Sequence, residues 1–98
     1  MNNDICTAIN EKRLLEISYG PGGRIIEPHA HGLSSDGNEL LRAFQVSGAS
    51  ASGEHVDWKL FRVDRISLLR ILDETFDGPR PEYRQNDKAM PRRIFCQL

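Results

Sequence analysis

A small, mainly β fold is what this sequence predicts. Apolar and polar residues alternate in short runs at roughly ten-residue spacing, turn-forming residues separate the runs, and only one short stretch has helical period. Closing such strands into a barrel removes the unpaired edges that an open sheet exposes. The expected architecture is a five-stranded barrel with a short N-terminal helix and an extended C-terminal tail.

Each element has a local reason. Asn3 or Asp4 can cap a helix in which Ile5, Ala8 and Ile9 recur at i, i+3, i+4, with Lys12 and Arg13 at its favourable C-terminal end. Leu15, Ile17 and Tyr19 alternate as a strand running into the turn Gly20-Pro21-Gly22-Gly23. Arg24 to Leu33 is a second extended segment, and Pro28 within it implies an edge position or a bulge. Asp36-Gly37 is a hairpin signal, Glu39 to Val46 a third strand, and Ser47 to Glu54 a flexible loop. Trp58 to Val63 makes the fourth strand. Ile66 to Leu72 reads either as a fifth strand or as a helical turn. The sequence divides at residue 73: a barrel over 1–73 and a tail over 74–98. Phe76, Tyr83, Met90, Ile94 and Phe95 would pin that tail onto the barrel or onto a second copy of the chain.

Ninety-eight residues suffice for one modest core, and the formal charge of −1 argues against bulk coating of nucleic acid. The polar, acidic start leads us to expect no secretory leader, and no apolar run approaches the ~20 residues of a membrane span. Cys6 and Cys96 lie far apart with no Cys-x-x-Cys spacing, so neither a disulfide framework nor a zinc ribbon is readable. Reduced thiols, a cytoplasmic location and no membrane partner are expected.

The richest chemistry lies in Trp58-Lys59-Leu60-Phe61-Arg62-Val63-Asp64-Arg65-Ile66, where three cations crowd beside a tryptophan. Arginine forks match phosphate or carboxylate oxygens; Asp57 and Asp64 offer these cations local ion pairs instead. His29 and His31 stand on one face of a strand, with His55 in a loop, but no carboxylate or cysteine has the spacing to complete a metal site. The Gly20–Gly23 turn lacks the Lys-Ser/Thr and helix of a phosphate loop. No nucleophile elbow or acid pair is present, so no enzyme, cofactor or metal is expected.

Several motifs, in order, resemble the WYL domain, a small SH3- or Sm-like barrel found in bacterial transcription regulators. They are Ala8-Ile9-Asn10-Glu11-Lys12-Arg13-Leu14-Leu15, then Ile17-Ser18-Tyr19, Arg24-Ile25-Ile26-Glu27-Pro28, and Phe61-Arg62-Val63-Asp64-Arg65-Ile66. The naming Trp-Tyr-Leu is replaced by Glu39-Leu40-Leu41, so contacts made by those aromatics do not carry over. The resemblance implies a non-catalytic regulatory module that senses a nucleic acid or nucleotide-like anion in a basic groove, single strands before duplex. It implicates Tyr19 for stacking and Arg62 and Arg65 for phosphate, with Ser18 and His29 beside them; Arg42 and Lys59 would shape the rim. The alternative expectation is a protein-interaction or homodimerisation module using the barrel and tail.

Overall fold

The computed structural model describes residues 2–98. Helix α1 (Asn2–Glu11) leads into β1 (Arg13–Tyr19), β2 (Gly22–Leu33), β3 (Glu39–Gly48) and β4 (Asp57–Arg62). A 3-10 turn (Val63–Arg65) then delivers the chain to β5 (Leu68–Thr75), and β6 (Arg93–Gln97) follows a long irregular segment. The strands pair antiparallel in the order β4-β3-β2-β1-β5, with β6 added on β2. No ladder joins β4 to β5 among the described residues, so the sheet stays open, and it has six strands where five were expected.

Local chemistry explains the elements. Ile5, Ala8 and Ile9 are wholly buried along one side of α1, as their spacing requires. Gly20, at φ +60°, supplies the first central residue of the tight β1–β2 turn in which Tyr19 pairs with Gly22. The segment that could have been helix is strand β5, laid against β1 with Leu69 and Ile71 packed on the core. The boundary at residue 73 falls inside β5.

Strand β2 organises the rest. Along one edge it pairs with β3 from Arg24 to Leu33; along the other it pairs first with β1 and then, from Ala30, with β6. The tail therefore re-enters the sheet where β1 leaves it, and the Leu98 N–H donates to the His29 carbonyl at 2.9 Å. Pro28 sits in a central strand, and the register slips between Pro28/Ala43 and Ala30/Arg42. That bulge absorbs the proline and inserts one residue. It also overturns the expectation that His29 and His31 share a face. His31, opposite Leu41, turns to the helix side; His29 turns to the tail side.

The sheet thus carries two layers of packing. On the inner face, Ile5, Ala8 and Ile9 of α1 join Leu15, Ile17, Ile26, Leu41, Ala43 and Phe61 in one buried cluster. On the outer face, the tail covers Ala30 and Leu40 with Met90, Tyr83 and Ile94. Gly32 permits this approach, because a Cβ there would stand 3.1 Å from Met90 Sδ and against the Arg93 carbonyl.

The expectation of separate, reduced cysteines fails. Cys6 on α1 and Cys96 on β6 form a disulfide with Cα atoms 5.7 Å apart, closing a sequence separation of 90. Sequence distance misled because β6 returns beside α1 through its ladder with β2. No helix is long and apolar enough to cross a membrane among the described residues.

Candidate functional site

The seven residues singled out from the sequence do not meet on one surface. Strand alternation separates Lys59 from Arg62: Lys59 shares the Phe61 side of β4 and reaches Ser50 Oγ at 3.0 Å and Ser52 Oγ at 3.1 Å, while Arg62 shares the Trp58 side. Arg62 forks onto Asp64, its closest contact 2.8 Å, and reaches Asn38 Oδ1 at 3.4 Å. Tyr19 does touch Arg62, its hydroxyl accepting the Arg62 backbone N–H at 3.1 Å. Its ring, however, packs edge-on against Phe61 at 4.9 Å and lies 5.3 Å beneath the Arg24 guanidinium, so it is no open stacking platform. Ser18 lies within the β1 ladders, its carbonyl accepting from the Ser67 N–H. Arg65 is exposed on the 3-10 turn, with no side-chain hydrogen bond among the described residues.

His29 is fully buried and satisfied at both ring nitrogens. Nδ1–H donates to the Glu27 carbonyl at 2.8 Å, and Nε2 accepts the Arg80 backbone N–H at 3.1 Å. Trp58, Tyr83 and Phe76 surround it with ring centroids 4.7, 5.0 and 5.7 Å away. Burial is the main cause that lowers its pKa, against the opposing pull of the Glu27 carbonyl and charge.

A different opening brings cations to an aromatic wall. Arg42 and Trp58, on the outer side of β3 and β4, face the tail segment 82–88 across a cleft of about 450 Å³. Tyr83 stacks toward Trp58, with centroids 6.2 Å apart and planes at 21°. Three cations, Arg42, Arg84 and Lys88, line it against two carboxylates, Glu82 and Asp87. Arg42 is partly committed: Nε donates to Asp87 Oδ2 at 2.6 Å and Nη2 to Oδ1 at 3.3 Å. Burial pushes the Asp87 carboxyl up, but the Arg42 hydrogen bond, the Ala89 N–H and the Arg42 charge together outweigh it and hold the group below its ordinary value. Arg84 and Lys88 are exposed and make no side-chain hydrogen bond among the described residues.

Arg80 fixes the neighbouring wall. Its fork grips Glu27 at 2.8 and 3.0 Å while its guanidinium lies 4.3 Å over the Phe44 ring, and Phe44 meets Trp58 edge-on at 5.6 Å. Of the residues expected at the site, Arg42 alone lines this cleft. In the sequence Trp58, Tyr83, Arg84 and Lys88 are separate aromatic and basic residues, and only the return of the tail joins them.

Comparison with known proteins finds no matching family model, no similar curated protein and no similar solved structure.

Proposed function

We propose that this chain is a non-catalytic sensing module that binds a nucleotide-like anion in the cleft between Trp58 and the 82–88 segment. The observation that carries the reading is the joining of a stacked aromatic pair to two uncommitted cations, Arg84 and Lys88. A base against an aromatic ring gains roughly 1–3 kcal/mol, and a phosphate would take the exposed cations. The strand order β5-β1-β2-β3-β4 behind an N-terminal helix supports an SH3/Sm-like reading. With the order of sequence motifs, it supports kinship with WYL domains and a role accessory to transcription. The ligand contacts nevertheless move from Tyr19, Arg62 and Arg65 to the tail side of the sheet.

Trp58 is the single tryptophan and reports directly on the cleft. Titration with nucleoside monophosphates and short single-stranded oligonucleotides should change its fluorescence saturably. Inorganic phosphate alone should bind more weakly, by roughly 5- to 150-fold, because it forgoes stacking. Arg84→Ala with Lys88→Ala should weaken binding and lower the salt slope by about 0.7 per lost contact on single strands. Arg62→Ala with Arg65→Ala should leave both unchanged. Silence of Trp58, or the reverse ranking of the two double variants, removes the proposal.

A second reading, self-association, draws on the open sheet. Edge strands β4 and β5 expose Leu60 (39%) and Leu68 (51%), where another strand could add. Sedimentation should then give a dimer that Leu68→Lys dissociates; a monomer at every concentration tested rejects this reading.

A further inference from the structure

On the face away from the cleft, α1, β2 and β6 converge on His31, which is wholly buried. Its Nε2 stands 2.6 Å from Glu39 Oε2. In the neutral imidazole that hydrogen bond assigns the ring proton to Nε2 and leaves a lone pair on Nδ1. Nδ1 faces sulfur: Cys6 Sγ at 3.6 Å and Cys96 Sγ at 3.9 Å. While the cysteines are bonded, neither sulfur carries a hydrogen to donate. The lone pair is then a buried acceptor facing two other acceptors, an arrangement that hydrophobic packing alone does not call for.

We propose that reduction turns this cluster into a zinc site, with Cys6 and Cys96 thiolates and His31 Nδ1 as ligands and Glu39 holding the imidazole in place. A dithiol reductant supplies two electrons, breaks the Cys6–Cys96 bond and becomes its own disulfide; two protons complete the protein thiols. Zinc then binds both sulfurs and Nδ1, the two thiol protons pass to solvent, and water takes the fourth position. Tetrahedral zinc, with bonds of about 2.3 Å to sulfur and about 2.0–2.1 Å to nitrogen, sets S···N edges near ~3.6 Å and the S···S edge near ~3.8 Å. The S···N separations already stand at 3.6 and 3.9 Å, and all three donor atoms lie within 4.8 Å of one another. Only the sulfurs must part, by side-chain rotation of two partly exposed residues. The carboxylate–imidazole pair is the usual support for a histidine ligand. Because the same sulfurs serve bond and metal, oxidation expels the ion. The site shares no residue with the outer cleft, so the two proposals stand or fall separately.

The test is a cobalt(II) titration of the full chain, once reduced with dithiothreitol and desalted without oxygen, once oxidised. The reduced protein should take one equivalent, with thiolate-to-cobalt charge transfer and tetrahedral d–d bands that zinc abolishes; the oxidised protein should show neither. Cys6→Ser and Cys96→Ser should each lose the charge-transfer intensity. Glu39→Gln should keep the bands but require about 10- to 100-fold more metal. Should the reduced chain unfold, zinc must restore its circular dichroism. Absence of the bands, equal bands in the oxidised protein or in Cys96→Ser, an unshifted Glu39→Gln, or zinc that restores nothing would each overturn the site.

Discussion

The two faces of the sheet are built by different physics. Under α1 the packing is mostly apolar, with Ile5, Ile9, Leu15, Ile17, Ile26 and Phe61 all nearly inaccessible, interrupted by His31 on Glu39 and Arg24 on Gln45. Under the tail, the small cluster of Ala30, Leu40 and Met90 is flanked by directed contacts: Arg80 on Glu27, Arg42 on Asp87, and rings grouped about His29. Apolar burial is non-directional and scales with area, whereas paired ions and satisfied imidazoles depend on geometry and pH. The inner face therefore carries most of the apolar burial, and the outer face gathers the directed contacts around the cleft.

The contrast can be broken most severely at Phe61. Phe61→Ala should destabilise by about 3–5 kcal/mol in denaturant unfolding. Reduction of Cys6–Cys96 without metal should cost about 2–4 kcal/mol, since the bond closes nearly the whole chain in the unfolded state. On the outer face, Arg80→Ala should cost about 1–2 kcal/mol. That range is discounted because the Arg80 side chain is 41% exposed, and most of it comes from leaving the buried Glu27 without its partner. Arg62→Ala should cost less than about 0.5 kcal/mol, because it loses an exposed pair with Asp64 and a long 3.4 Å contact to Asn38.

Acid should sharpen the comparison. Both groups with lowered pKa named above, His29 and Asp87, lie on the outer face. His29, buried neutral, contributes stability that is whole above its unfolded value of about 6.5 and is lost as pH falls through its lower folded value. Asp87 contributes stability present above about 3.9 and lost as pH falls through its own depressed value. Acidification should therefore expose segment 82–88 to proteolysis before the helical circular dichroism changes. Simultaneous loss would mean that the faces are not separable.

Local pattern was enough to read α1, the four strands from β1 to β4 and their turns, because each depends on neighbours within ten residues. Glycine at Gly20 and Gly37, both at positive φ, marks the first two hairpins in the sequence itself. The rest depended on long-range pairing. Strand β6 is only five residues and joins β2 some sixty positions away, so no periodicity announced it. Pro28 announced a bulge but not its consequence, the parting of His29 from His31. Arginines judged by their number proved to be governed by their partners: Asp64 lies two residues from Arg62, but Asp87 lies forty-five from Arg42.

The most direct measurement is amide chemical-shift mapping of the oxidised chain with adenosine monophosphate. The account predicts perturbations concentrated on Arg42, Trp58 and residues 82–88, with β1 and the 63–65 turn unmoved. Shifts centred on Tyr19, Arg62 and Arg65, or none at saturating ligand, would contradict it.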